Sequence, residues 1–270
     1  MSDIHPTAII EDGAVIGEGV RIGAYAVVEG KARIGDGCVL DSHAIVKDYV
    51  TLGARCHVHA CAVLGDWPQD HAFANEPSFV ETGTDCDFRE GVTVHRGTKP
   101  GTTTRIGNHV MMMANSHAAH NVQMGDGVIL ANGAMLAGYV EVGDHAFISG
   151  NVLVHQFVRI GRLVMMGGGS AVAFDVLPYC LTMPVSGNLI GGLNLVGMKR
   201  AGMGPADRKA VKDAYRIMFR SGLNTAQGIA KIRELFADGP AREMAEFAAA
   251  SKRGISTAHV VPKADDGAEG

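Results

Sequence analysis

From Ile4 onward an aliphatic residue recurs at every sixth position, as Ile4, Ile10, Ile16, Ile22, Val28 and Ile34, and so on to Leu64. The frame returns as Phe88 and Val94, then again from Ile106 through Leu130, Ile148 and Ile160 to Val172. A helix repeats about every 3.6 residues and a half-buried strand about every 2, so neither requires this period. A triangular solenoid does, with one hexapeptide per face and about three per coil. Four residues after each apolar position sits a smaller one, such as Ala8, Ala26, Cys38, Ala44, Cys56 or Ala134. Large and small inward residues then alternate on each face and fill a narrow core. The residue after the apolar position is repeatedly glycine (Gly17, Gly23, Gly35, Gly107, Gly125, Gly161), in keeping with tight turns that need φ > 0.

The pattern divides the chain. Residues 1–180 are expected to form the solenoid, interrupted near 65–81 and 97–104. The first interruption holds Gly65-Asp66-Trp67-Pro68-Gln69-Asp70 and the one tryptophan; the second is rich in Gly, Thr and Pro. A solenoid turns its corners without loops, so each excursion is either a tolerated insertion or a flap over a site on the flank. Residues 181–257 are expected to be connecting chain, Gly- and Leu-rich up to about 203, followed by a helical domain. A helix is predicted over Pro205–Arg220, with proline in its first turn, Ala210, Val211, Ala214, Ile217 and Met218 on one face, and Gly222 as its stop. Asn224 or Thr225 caps a second helix through Phe236, and a third runs from about Pro240 to Lys252. Residues 258–270 read as a disordered tail.

Composition narrows the class. Only 6% of the 270 residues are aromatic, which suits a core too thin for rings. The five cysteines are scattered without a Cys-x-x-Cys, and Cys38 and Cys56 take small inward positions, so they read as core residues in a reducing compartment. No apolar run reaches membrane-spanning length, and the N-terminus lacks the basic-then-apolar layout of a signal peptide, so a cytoplasmic location is expected. Between Lys199 and Arg253 there are 12 Lys/Arg against 6 Asp/Glu, within a chain of net charge −4. A basic helical part on an acidic solenoid favours an acidic macromolecular partner. Nucleic acid is not expected, because the solenoid has no basic groove with aromatic platforms. A three-sided prism with apolar flanks suits a threefold axis, so a homotrimer is expected.

Stacking arithmetic selects candidate site residues. Residues about 18 apart lie one coil above another at the strand spacing of about 4.8 Å. His120 therefore stacks under Gly138, which stacks under Gln156. His120 follows the inward Ala118 by two residues and points outward at a corner. Beside it runs a second column of small residues, Asn132, Gly150 and Gly168, with room for a thin extended ligand such as an acyl or pantetheine chain. The bland alternative is a solvated surface histidine. His117 and His120 form a His-x-x-His with no third partner beyond His95 or His109, so neither metal nor cofactor is expected. No Ser or Cys nucleophile with a paired base is visible.

The segments Asn115-Ser116-His117-Ala118-Ala119-His120, Val154-His155-Gln156-Phe157, His5-Pro6-Thr7-Ala8, Val94-His95-Arg96-Gly97-Thr98 and Gly197-Met198-Lys199-Arg200 occur in one chain. With them the sequence resembles, over nearly its whole length, the acyl-[acyl-carrier-protein]:UDP-N-acetylglucosamine O-acyltransferases that begin lipid A biosynthesis. The fold expected is thus an all-β solenoid, a left-handed parallel β-helix of hexapeptide repeats, with a small all-α part. The resemblance implies that His120 is the general base removing the sugar 3-hydroxyl proton, and that the Gly138 N–H is the oxyanion donor. It implies that His117, His155, Gln156, Asn194 and Arg200 line the nucleotide-sugar site, with Gln69 and Asp70 reaching over the sugar. It also puts the acyl chain near Gly150 and Gly168 and makes acyl carrier protein the acidic partner.

Five positions depart from the family pattern. Asn121 stands where Asp follows the catalytic histidine. Its oxygen can still accept the imidazole N–H but does not offset the charge that develops, and in serine-protease triads the same change is very damaging, partly by selecting the wrong tautomer. Ala72 replaces a lysine, leaving Arg96 or Arg162 as candidates to supply the cation. Tyr139 replaces a histidine, Val196 a glutamate and Ala201 an arginine. These motivate two alternatives: the same chemistry on a UDP-3-amino-sugar, giving an amide, or a non-catalytic trimeric scaffold binding the carrier protein or the nucleotide sugar.

Overall fold

The computed structural model describes residues 2–184 and 186–258. Each hexapeptide contributes a short strand, mostly two residues long, and a corner, and successive strands fall on three different faces. The three faces are sheets of 12, 9 and 8 strands, parallel throughout except for one antiparallel pair at the C-terminal end of the first, and together they make a left-handed parallel β-helix. Within each strand the second residue points inward. On the first face Leu40, Val58, Phe88 and Met112 stack and are buried, while their neighbours Val39, His57, Asp87 and Met111 point out. The core is thus a set of vertical apolar columns. Burying a side chain such as Leu130 or Ile148, both at 0% exposure, contributes about 1.5–3 kcal/mol.

The corner glycines answer to sterics more than to φ. The left-handed residue lies two positions after them, as in Gly19 (φ 65°), Gly37 (φ 66°) and His109 (φ 54°). What the earlier glycine needs is closeness: a Cβ on Gly35 would lie 2.7 Å from the backbone of Gly53 and Ala54 in the next coil. Cys38, Cys56 and Cys86 stack in the core, and their thiols donate to the carbonyls of Gly53, Gly83 and Gly107 at 3.0, 3.3 and 3.1 Å. At the N-terminal end none of the described residues covers the columns, and Ile4 is 42% exposed.

The two excursions pack on each other. The first joins the strands Val63–Asp66 and Phe79–Thr82, and the second joins Thr93–His95 to Thr103–Ile106. The Ser78 hydroxyl donates to the Gly97 carbonyl (2.6 Å) and the Gly101 N–H to that of Pro77 (2.9 Å). Arg96, 3% exposed, donates to Asn75 (2.8 Å) and lies over the rings of Tyr49 and Phe73, at 5.2 and 5.1 Å. It therefore pins the first excursion and does not replace the missing cation.

The segment read as connecting chain is ordered structure. Cys180–Thr182 pairs antiparallel with Leu189–Leu193, and Thr257–Ala258 joins the same sheet. Ala258 thus belongs to a strand, while the rest of the expected tail, residues 259–270, lies outside the described residues. Four helices follow the strand pair: α1 (Leu195–Arg200), α2 (Pro205–Arg220), α3 (Thr225–Leu235) and α4 (Gly239–Ala249). A capping box starts α3, where the Asn224 side chain accepts from the Gln227 N–H and Gln227 answers on the Asn224 N–H. The buried face of α2 is Val211, Ala214, Tyr215 and Met218, with Ala210 and Ile217 only partly covered. The helices are tied to the last coils: Arg159 stacks on Phe247 at 4.1 Å, Tyr179 donates to Glu243, and Arg162 lies 3.7 Å from Glu243. Among the described residues no helix is long and apolar enough to cross a membrane.

Candidate active site

His117–Ala118 is a strand of the second face, and His120 lies on the corner after it, 7% exposed. The corner above brings Gly138 against the imidazole, since an added Cβ would lie 2.2 Å from Cε1 and 2.4 Å from Nε2. The Tyr139 N–H donates to the His120 carbonyl (3.0 Å) and the Phe157 N–H to that of Gly138 (3.1 Å), so the column His120, Gly138, Gln156 stacks as the 18-residue spacing predicts. Among the described residues the Gly138 N–H has no protein acceptor and the His120 Nε2 no hydrogen-bond partner.

The other ring nitrogen is held. His120 Nδ1 lies 3.1 Å from Asn121 Oδ1. That oxygen also accepts from the Thr98 backbone N–H and from the Thr98 hydroxyl, each at 3.1 Å. A backbone N–H can only donate, so the oxygen of the amide, not its NH2, faces this cluster. Nδ1 must then carry the imidazole proton, which leaves Nε2 bare. Tyr139 OH completes the chain by donating to Thr98 Oγ1 (2.9 Å), its ring stacked on Phe157 at 4.9 Å. Asn121 itself is fixed by its N–H to the Thr104 hydroxyl (2.8 Å). The Asn121 oxygen is thus placed to accept the imidazole N–H, as the sequence reading allowed, and the second excursion supplies the donors that orient the amide. What asparagine lacks is only the negative charge.

His120 opens onto a cavity of 630 Å³ walled by Gln69, Asp70 and His71 of the first excursion, by His95 and His117, and by Met135, Leu153 and Gln156. The Asp70 carboxylate accepts the Ala72 N–H (2.9 Å), a turn that sets the loop's tip. Burial, then His95, pushes His117 down to about 4, so it stays neutral, with Nδ1 2.7 Å from Thr93 Oγ1. Burial likewise lowers His95, whose ring meets His117 edge-on at 4.8 Å. Met135 and Leu153, both about half exposed, make an apolar strip along the second face.

Not every candidate converges here. Gly150 and Gly168 stack with Asn132 at the opposite edge of the second face and do not line the cavity. His155 is exposed beside it, its Nδ1 3.1 Å from the Gln156 carbonyl oxygen. Asn194 caps α1 by accepting the Gly197 N–H (2.9 Å) and donates to the Leu163 carbonyl (2.9 Å); Arg200 is exposed at the end of that helix. None of the described residues lining the cavity is Lys or Arg. Conversely, Thr98, His71, Met135 and Leu153 carried no assigned role in the sequence. Strand alternation does mark Met135 and Leu153 as outward neighbours of His117. No periodic signal marks Thr98.

An outward imidazole against a side-chain-free corner, on a β-helix of hexapeptide repeats, goes with the class of hexapeptide acyltransferases. The family model described as bacterial transferase hexapeptide (six repeats) matches residues 31–66 and 103–138, and that described as Udp N-acetylglucosamine O-acyltransferase, Domain 2, matches 175–256. The acyl-[acyl-carrier-protein]–UDP-N-acetylglucosamine O-acyltransferase of Syntrophobacter fumaroxidans is 42% identical over 93% of this chain and 98% of its own. That of Anaeromyxobacter dehalogenans is 44% identical over 94% and 99%. The solved UDP-N-acetylglucosamine acyltransferase from Campylobacter jejuni, at 36% identity, superposes with a TM-score of 0.89 over 94% of this chain and 99% of its own. The chain belongs to the acyl-[acyl-carrier-protein]–UDP-N-acetylglucosamine O-acyltransferase family.

Proposed function

We propose that the chain transfers a 3-hydroxyacyl group from acyl carrier protein to the glucosamine 3-hydroxyl of UDP-N-acetylglucosamine, the first step of lipid A biosynthesis, in the cytoplasm. The observation that carries this reading is the bare Nε2 of His120, directed into the cavity above Gly138 with its tautomer held by Asn121. Nε2 takes the hydroxyl proton as the sugar oxygen attacks the thioester carbonyl carbon. The Gly138 N–H receives the developing oxyanion. Collapse breaks the C–S bond, and the proton passes from His120 to the departing sulfur. A thioester is already activated, so the chemistry calls for no metal.

The assembly belongs to the same proposal. Outward residues of the first face include Val39, Met111, Ile129, Phe147 and Met165, and those of the second Ile9, Val27, Ile45, Met135 and Leu153. The third face instead presents Arg33, Glu81, Arg105, Glu141 and Arg159. Two apolar faces sharing an edge suit a trimer in which the first face of one copy meets the second face of the next. Asn194 and Arg200 then serve a neighbour's cavity, supplying the cation that the chain's own cavity lacks. Gly150 and Gly168, across the second face from His120, border the far end of the acyl chain. Lys252 and Arg253 line a second cavity of 720 Å³ whose wall includes Asn121 and Tyr139, a basic approach for the acidic carrier protein.

The test is acyl transfer by the purified protein from 3-hydroxyacyl carrier protein to UDP-N-acetylglucosamine, with the UDP-3-amino-sugar alongside. Turnover is expected on the hydroxyl sugar. Turnover on the amine alone would replace the ester reading by the amide one, and none on either would favour the scaffold. The comparisons support the ester reading and lend nothing to the other two.

Asn121 offers a second, sharper test. Asn121→Leu keeps the volume but removes the acceptor for both His120 and Thr98, and kcat is expected to fall about tenfold or more, with KM little changed. Asn121→Asp keeps the acceptor and adds a charge that offsets the imidazolium, so kcat is expected to equal or exceed wild type. A fall with Asp as deep as with Leu would show that hydrogen bonding to Nδ1 is not what Asn121 provides.

A further inference from the structure

Far from the reaction cavity, on the edge between the first and second faces, four side chains of consecutive coils converge. In the strand His57–Val58 and the residue after it, His57 and His59 alternate with the inward Val58 and so share its outer side. Val58 pairs with Leu40 below and Phe88 above, which sets Asp41 beneath His59 and Asp87 beside His57. Asp41 Oδ2 lies 3.0 Å from His57 Nε2 and 3.3 Å from His59 Nδ1, and the two imidazoles stack with centroids 3.7 Å apart. His59 Nε2 and Asp87 Oδ1 are buried and 2.9 Å apart, off the angle of a good hydrogen bond, and neither has another partner among the described residues.

The His57–Asp41 contact alone is a hydrogen bond, but that bond does not account for the second imidazole turned to the same oxygen or for the second carboxylate beside it. Two nearly parallel imidazoles turn one nitrogen each toward a single carboxylate oxygen. A divalent cation among the three atoms accounts for it. Tetrahedral bonds of about 2.0–2.2 Å put ligand atoms about 3.3–3.5 Å apart. The Asp41–His59 separation meets that range, and the Asp41–His57 separation falls within a few tenths of an ångström of it. The three ligand atoms all lie within 4.8 Å of one another. Asp87 completes the pattern, because a ligating histidine ordinarily gives its second N–H to a carboxylate that fixes its orientation.

We infer that Asp41, His57 and His59 form a binding site for a divalent transition-metal ion of the zinc type, with Asp87 positioning His59 and solvent completing the coordination shell. Two imidazoles and a carboxylate are the donors such an ion prefers over Mg2+ or Ca2+. The site shares no residue with the reaction cavity and does not rest on the acyl-transfer reading. Its ligands come from two successive coils and its supporting carboxylate from a third, so its role is to staple the coils just before the first excursion.

The test uses the full chain stripped with a chelator and titrated with Co2+, whose visible bands report tetrahedral coordination. One Co2+ per chain is expected, displaced by Zn2+, and Zn2+ should raise the melting temperature. Asp41→Asn and His57→Ala should each abolish the bands. Their side chains are 37% and 38% exposed, so the fold should survive, which the circular dichroism spectrum checks. Asp87→Asn should weaken binding about 10–100-fold. His117→Ala, at the reaction cavity, should leave binding unchanged. No stoichiometric binding would overturn the inference, as would binding that survives the Asp41→Asn/His57→Ala pair or disappears with His117→Ala.

Discussion

His120→Ala is expected to lower kcat by about 10²–10⁴, with KM for both substrates close to wild type. The size of the loss depends on whether any neighbour can act as base instead. Three other histidines line the same cavity: His71, exposed on the first excursion, and His117 and His95, neither of which is suited. His117 has Nδ1 against Thr93 and, pushed down to about 4 chiefly by burial, is too weak a base to accept a hydroxyl proton efficiently near neutrality. His95 is lowered by burial in the same way and is only 5% exposed. Asp70, across the cavity, has one carboxylate oxygen bound to the Ala72 N–H. The imidazole of His120 packs on Gly138, not in the apolar core, so its removal should leave the melting temperature nearly unchanged. Steady-state rates and a thermal melt on the same preparation separate lost chemistry from lost fold. A rate within tenfold of wild type would remove His120 from the role of base.

The period of six carried the fold because every inward column it names is a real column, from Ile22 through Phe88 to Ile160. The 18-residue offset then placed His120, Gly138 and Gln156 together, which is the part of the site one chain builds alone. The arithmetic fails where the excursions insert residues. Val63 pairs with Thr93, an offset of 30, and Thr93 with His117, an offset of 24. Every relationship across those coils was therefore hidden: Thr98 on Asn121, Cys86 above Cys56, and Asp87 beside His59. Arg96 looked like a spare cation because sequence does not reveal that Phe73 and Asn75 fold back over it. The strand pair within residues 180–193 has glycines where alternation should show, so it read as linker. Asn194 and Arg200 fit the family's motif but do not line this chain's own cavity, which is why the proposed function assigns them to a neighbouring copy.

Gly138→Ala is expected to lower kcat by about 10²–10³ although it removes no functional atom. Alanine keeps the backbone N–H, and Gly138 does not have positive φ, so neither the oxyanion donor nor the backbone conformation forbids it. The obstacle is the imidazole. A methyl group here would lie 2.2, 2.4 and 2.9 Å from Cε1, Nε2 and Nδ1 of His120, closer than unbonded atoms approach. The ring must swing outward, which breaks its contact with Asn121 and carries Nε2 away from the hydroxyl it is proposed to deprotonate. A displacement of about 1 Å suffices for a loss of about 10². Because the two residues act through one geometry, their effects should not add. The double variant Gly138→Ala/His120→Ala should turn over no slower than His120→Ala alone, since without the imidazole the methyl group meets nothing. A double variant far slower than that single one would mean that the methyl group blocks the substrate itself, and that the open corner serves the acyl chain and not the base. Near-wild-type turnover by Gly138→Ala would show that the imidazole has a second productive position.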